Sequence, residues 1–360
     1  MTTAIEAMTA LLEDESVTEI LVDSPDQVYV ERNGRLEDTE IRFAGAQEVI
    51  DWANGLLTSH GWEPVGEGKL WAEERLREGD RLLIVIPPLA VDEPSVVIRK
   101  FWRTPVTFDQ LLQWGSLSQS MLDFLRVVMQ AHLDVIIAGG TASGKTTLTN
   151  RIVELIPEEE RLVAVERAHE LRIGRIDHKR LIYLEAKAVG GSGTGEMVLS
   201  ELLRLASRMR PDRLIVGELM GAEVLEVLRL MTTGHEGIVA TIHATSPRDA
   251  LGRIEKMATM AEPSLMLPVI RAEIASALDL IIQIRRLEDG SRKIMSIVEV
   301  QDLKGDNIVL QELFTWEKTG VGEDGRFTGV FKATGATPSF MPALEAQGLS
   351  FPEDTFKTQD

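Results

Sequence analysis

Cysteine is absent from this 360-residue chain. Disulfides and thiolate metal sites are therefore excluded, and a reducing cytoplasm is the expected setting. Aromatic residues make up only 5% of the sequence, with two tyrosines, and there are six histidines. Basic residues interleaved with aromatics do not occur, so the stacking platforms of single-strand nucleic-acid binders are not expected. Positive charge is also scarce. Lys and Arg number 38 against 57 Asp and Glu, a net charge of −19 with a pI near 4.9. Binding to phosphate backbones is mostly electrostatic, so a nucleic-acid partner is disfavoured. No run of eighteen uncharged apolar residues is present, and no membrane span is expected. The N-terminus "MTTAIEAMTALLEDES" lacks the basic region of a signal peptide.

What is present reads as an ordinary globular protein, 44% hydrophobic and 26% charged, long enough for two domains. Met1 to Thr107 carries 10 Lys and Arg against 21 Asp and Glu, a net of −11, and is the more acidic part. Its patterns alternate. "TAIEAMTALLED" and "AQEVIDWANGLLTSHG" have helical spacing, and "ERNGRL" holds the Asn-Gly signal of a hairpin. "RLLIVIPPLA" and "PSVVIRKF" read as strands. Residues 1–107 are thus expected to form a small α+β domain, with a linker near Arg103 to Thr107. From Met121 the units lengthen. "LDVIIAGG", "RLVAVE", "DRLIVGE" and "GIVATIHA" are near-continuous apolar runs, as in strands buried on both faces of a parallel sheet. "LIIQIRR", "EDGSR" and "KIMSIVEV" signal a hairpin. Residues 108–336 are expected to form an α/β domain ending in that hairpin, and residues 337–360, rich in Pro, Gly and Thr, a partly ordered tail.

The strongest motif is "GGTASGKT", which fits G-x-x-x-x-G-K-[ST] between an apolar strand and a helical pattern. In this pattern consecutive backbone N–H groups wrap phosphate, so Gly139, Gly140, Thr141, Ala142, Ser143, Gly144, Lys145, Thr146 and Thr147 are the expected ATP-binding residues. Lys145 offsets β/γ-phosphate charge, and the Thr146 hydroxyl is a Mg²⁺ ligand. "RMRPDRLIVGEL" offers an apolar strand ending in an acid, the Walker B form. It assigns to Glu218 the place beside Mg²⁺ or the attacking water, against the plainer role of capping the next helix. "RLVAVERAHEL" gives a second strand ending in an acid. Glu166 and Glu170 could point into the same cleft or belong to a solvated turn, and spacing does not choose between these. "VGGSGTGE" reads as a flexible surface loop. In "TGHEGIVATIHATSPRDAL", Val239, Thr241 and His243 share one strand side by the period of two. Ser246, Pro247 and Asp249 form a helix start. His243 is expected at the P-loop edge of the sheet, reaching the γ-phosphate or its attacking water, and His235 at the other edge, in a subunit contact or a structural role. A hydrogen-bonded core histidine is the plainer alternative for both.

Together these segments resemble the secretion ATPases of the type II/type IV superfamily, in particular the CpaF-type motors of tight-adherence (Flp) pili. "RPDRLIVGE" followed by "TGHEGIVATIHA" is the most specific part, and the latter resembles the family's His box. The resemblance implies a RecA-like P-loop ATPase domain preceded by a mobile N-terminal domain, with ATP bound between them in a homo-hexameric ring. It further implies that arginines of the first domain reach nucleotide, which carries that role to Arg75, Arg81 and Arg99. On residue chemistry alone, these would be surface ion-pair partners worth under about 1 kcal/mol each. Arg210 and Arg213 are expected to be structural or intersubunit. The implied activity is Mg²⁺-dependent ATP hydrolysis powering pilus assembly, pilus retraction or secretion. The motor would be cytoplasmic and peripheral at the inner membrane, docked on a platform protein there.

Two positions depart from the family's pattern. "VAVERAHEL" resembles the family's Asp box, but Arg167 follows Glu166 where that box usually has Asp, and Met220 follows the Walker B segment where Arg is usual. An acid and a base have both gone, which suggests a replaced ion pair. The departures bear on which acid activates water, Glu170 or Glu218. They also leave a nucleotide-binding regulator with weak turnover as one alternative. A nucleic-acid motor of the helicase or conjugation type is the other.

Overall fold

The computed structural model describes residues 3–32, 35–76, 79–100, 106–168, 170–173, 180–186, 197–323 and 325–358. The Gly-rich 189–196 and part of the expected linker lie outside them. The chain divides into two compact units, Met1–Pro105 and Val106–Asp360.

The first unit opens with α1 (Ala4–Glu13), started by a capping box in which Thr3 and Glu6 satisfy each other's backbone N–H groups. Strands β1 (Val17–Ser24), β2 (Gln27–Arg32) and β3 (Arg35–Asp38) follow, then α2 (Ala46–Ser59), β4 (Trp71–Arg75), β5 (Arg81–Val85) and β6 (Ser95–Arg99). They form one antiparallel sheet in the order β3-β2-β1-β6-β5-β4. Arg32 and Arg35 pair across the expected hairpin. Alternate residues such as Val28, Val30, Leu82 and Ile84 are buried against Val49, Trp52, Ala53 and Leu57 of α2, the half-buried pattern of a sheet covered on one face.

The second unit is a three-layer α/β sandwich. Its elements are α3 (Phe108–Gln113), α4 (Gln119–Gln130), β7 (Val135–Gly139), α5 (Lys145–Val153), β8 (Leu162–Glu166), β9 (Leu181–Glu185), α6 (Leu199–Ser207), β10 (Arg213–Leu219), α7 (Glu223–Thr232), β11 (Val239–His243), α8 (Pro247–Ala261), α9 (Leu267–Ala277), β12 (Leu280–Arg286), β13 (Arg292–Lys304), β14 (Asn307–Val321), β15 (Phe327–Ala333) and α10 (Met341–Ala346). The sheet runs β15-β14-β13-β12-β7-β11-β10-β8-β9. From β12 to β9 all neighbours are parallel, and β13 to β15 are antiparallel. Along β7, Val135 and Ile137 face the layer of α4 and α5, while Ile136 and Ala138 face α6 to α9. Burial on both faces is why this strand and its neighbours read as unbroken apolar runs. The fold class is as expected. Strands β4, β9, β14 and β15 had no place in the sequence reading; the last two are solvent-exposed on one side and mixed in polarity.

The residues after 336, expected as a partly ordered tail, are built onto this unit. Phe351 stacks on Phe124 with ring centroids 5.2 Å apart, and Phe356 meets Phe351 edge-on at 5.1 Å. Four aromatic rings, with Phe314, share one cluster. Composition suggested partial order, and a few well-spaced apolar side chains supply the contacts, because each large ring removes 150–250 Å² or so from water.

Candidate functional site

The site lies at the carboxyl edge of the parallel strands, where open α/β sheets bind ligands. The loop Gly139–Thr146 leaves β7 and enters α5. Gly144, the N-cap residue, has a φ of 98° and offers no side chain to the first N–H groups of α5. Those groups and the helix dipole are thus directed to an anion. Gly139 is obligatory for space. A Cβ there would lie 2.5 Å from Ser143 Oγ and 2.7 Å from the Ile284 carbonyl. Ser143, 2% exposed, leaves its Oγ without a partner among the described residues. This orphan hydroxyl and the uncapped helix start fit a phosphate chain.

Lys145 Nζ donates to the carbonyls of Gly139 (3.0 Å) and Gly140 (3.1 Å) and lies 3.5 Å from Glu218 Oε1. Burial lowers its proton affinity, which the carboxylates of Glu218 and Glu170 partly restore. Glu218 sits near the end of β10, one-third exposed. Glu166 is different. It is buried, and its Oε1 accepts the N–H groups of Glu170 and Leu171, both at 2.9 Å. It braces the segment that carries Glu170, and the absence of a side chain at Gly217 lets it approach, since a Cβ there would be 2.9 Å from Glu166 Cγ. Arg172 N–H binds Asn150 Oδ1 on α5 at 3.0 Å, tying that segment to the P-loop helix.

His243 pairs in register with Gly139, and its Nε2 is 3.4 Å from Thr141 Oγ1. Burial first, then Lys145, lowers its proton affinity below the usual imidazole value. It is therefore a neutral hydrogen-bonding group at pH 7. The helix start after it forms as expected: Ser246 Oγ accepts from Asp249 N at 3.1 Å, with Pro247 in the first turn. His235 lies before β11, at the opposite edge. Its Nε2 is 3.4 Å from the Ser207 carbonyl, and its Nδ1 is buried without a partner among the described residues. Arg213 is fully buried and bound to Glu160 and the Met129 carbonyl, a role inside the fold, while Arg210 is exposed.

Thr146, Thr147 and Glu218 complete the oxygen-bearing set. Among the described residues no group of three His, Asp or Glu side chains could hold a metal. Such a sparse, hard-oxygen set suits Mg²⁺, which keeps waters and binds mainly through substrate phosphates. His243→Ala is expected to keep ATP affinity within about threefold and lower kcat about a hundredfold, in the range for a lost proton-relaying or water-orienting group. Normal kcat with only a lowered melting temperature would make it a core histidine.

The three arginines lie in the first unit, on one row. Arg75 pairs with Arg81, Arg81 with Arg99, and Arg99 with Glu19 across four neighbouring strands. Arg81 is 3.6 Å from Glu73, and Arg99 is 3.7 Å from Glu19. Sequence reasoning overlooked Arg292. Its Nε donates to the Ala142 carbonyl at 3.1 Å, holding a P-loop residue whose φ of 55° is left-handed. Its only sequence signal is the "EDGSR" turn, which says that a hairpin ends there and not what the hairpin touches.

Residues 3–329 match the family described as Type II/IV secretion system protein. Type IV secretion system protein PtlH of Bordetella pertussis is 32% identical, over 80% of this chain and 91% of that one. Rv3659c of Mycobacterium tuberculosis, named for conjugal transfer, is 30% identical over 82% of this chain and 84% of that one. The crystal structure of the pilus retraction motor PilT with bound ADP shares the fold, with a TM-score of 0.58 and 20% identity over 87% of this chain and 83% of that one.

Proposed function

Since this chain belongs to the type II/IV secretion system protein family and is an ATPase of it, we propose that it works as a Mg²⁺-dependent hexameric motor. It is cytoplasmic, peripheral to the inner membrane, and powers pilus assembly, pilus retraction or protein secretion through a membrane platform protein, as the CpaF-type tight-adherence motors do. The observation that carries this reading is the convergence of Lys145, Glu218 and His243 on one P-loop, with Glu170 beside them. Thr146 and Glu218 would hold Mg²⁺, which would supply positive charge against the phosphates. Glu218 orients and deprotonates the attacking water, Lys145 neutralises the γ-phosphate, and neutral His243 reads its presence. Gly139, Gly140, Thr141, Ala142, Ser143, Gly144 and Thr147 cradle the nucleotide. The described helices include none long and apolar enough to cross a membrane, so a docking partner is needed. Basic cytoplasmic loops of such a partner would suit the acidic first unit.

The row gathers three guanidinium groups on adjacent strands of an acidic unit, with Glu73 beside Arg81 and Glu19 beside Arg99. Their role is to meet the anionic nucleotide of a neighbouring subunit, Arg81 foremost. Arg81→Ala and Lys145→Ala rings are each expected to be inactive, and mixed rings to regain part of the activity, because an intact P-loop can meet a neighbour's intact arginine. Rings shown to mix yet dead at every ratio would end the trans role, and a fully active monomer would end the ring.

Similarity to a protein named for conjugal transfer favours a second reading, a motor for DNA transfer. The net charge of −19 opposes direct contact with DNA. Turnover stimulated by DNA, with a steep salt dependence, would decide for it.

A further inference from the structure

The acids of the site sit on two separate strand ends. Glu166 closes β8 and is followed by Glu170, and Glu218 lies near the end of β10. A relative shift of an ångström between such ends is enough to misplace an attacking water. A side-chain ion pair spans the gap. Arg167 Nη2 lies 2.9 Å from Glu223 Oε2 and 3.0 Å from its Oε1. Glu223, 3% exposed, opens α7 directly after the loop that leaves β10. Its Oε1 also accepts the N–H groups of Met220 (2.6 Å) and Gly221 (2.9 Å), so the carboxylate gathers that loop onto itself. Gly221 runs close by. A Cβ there would come within 3.3 Å of Glu223 Oε2 and 3.7 Å of Arg167 Nη2.

We infer that the Arg167–Glu223 pair is a positioning device that locks the Glu166–Glu170 segment to the Glu218 loop and so sets the spacing of the catalytic acids. On one side Glu166 fixes the backbone of Glu170 from within. On the other, Glu223 fixes the backbone just after Glu218. Arg167, adjacent to Glu166 in the chain, joins the two. An exposed ion pair alone would stabilise little. Here the acid is buried, and removing its cation leaves a desolvated carboxylate whose remaining partners are the loop's own N–H groups. The loop can then relax toward water. Arg167 reaches Glu223 from the β8 side, and position 220 holds a methionine that is 62% exposed and carries no charge.

Arg167→Met is expected to lower kcat about tenfold while KM for ATP stays within about twofold, since the phosphate cradle is untouched. Arg167→Lys, which keeps one charged donor, should recover part of that loss. Arg167→Met combined with Met220→Arg is designed to bring a guanidinium to the same carboxylate from the neighbouring backbone and should likewise recover part of the loss seen in Arg167→Met. Melting temperatures are measured on every variant. Wild-type kcat in Arg167→Met, whatever its melting temperature, overturns the inference, as does a rise in KM with kcat unchanged. Equal loss in all three variants overturns it too. Should Arg167→Met not fold, the Lys and double variants carry the test by the same criteria. The inference rests on ATP turnover by this chain, and wild-type protein in the same assay separates the two failures. An inactive wild type ends both readings, whereas an active wild type with an indifferent Arg167→Met ends only this one.

Discussion

Lys145→Ala is expected to lose ATP turnover by a hundredfold or more, approximately the loss seen when one preorganised group facing developing charge is removed. Lys145 Nζ is a partly buried cation at the head of α5, held by the Gly139 and Gly140 carbonyls and by Glu218. Burial makes its charge costly in the absence of an anion and correspondingly effective against one. The fold should survive. The two carbonyls lie at the end of β7 and in the loop after it, and Glu218 is one-third exposed, so water can replace the ammonium. Phosphate release and circular dichroism on the same preparation check both halves. Normal hydrolysis by a well-folded Lys145→Ala protein would remove Lys145 from the chemistry.

Glu218→Gln is expected to bind ATP with affinity within about threefold of wild type and to lose kcat by 10²- to 10³-fold or so. The amide fills the same space but neither accepts a proton at neutral pH nor ligates Mg²⁺ well. Glu170→Gln should cost less, and Glu166→Gln least. Glu166 Oε1 is engaged with two backbone N–H groups, and an amide oxygen can accept both. Nucleotide affinity by titration and kcat by phosphate release give the ordering. An inactive Glu170→Gln beside an active Glu218→Gln would exchange the roles of the two acids.

The residues that could be read in advance share one property: their partners are close in the chain. A phosphate nest needs consecutive N–H groups, so Gly139–Thr146 announces itself. The helix start at Ser246 uses a side chain that bonds within three residues. Strands buried on both faces must be apolar throughout, which is why β7, β8, β10 and β11 were legible. His243 was legible as well, because the side of a strand on which it falls follows from a period of two.

What the sequence could not decide depends on sheet order, which brings distant segments to one edge. Which of Glu166, Glu170 and Glu218 is a brace and which faces Lys145 is set by the register of β8 beside β10. Arg167 finds Glu223 56 residues away, and Arg292 finds Ala142 150 residues away. The arginine row exists only because three antiparallel registers align. Phe351 and Phe356 are ordered by Phe124 and Phe314, which no local pattern around them mentions. Local chemistry is written in periods of two and 3.6 residues and in caps a few residues long. Contacts across the sheet have no such period, so only the folded chain assigns them.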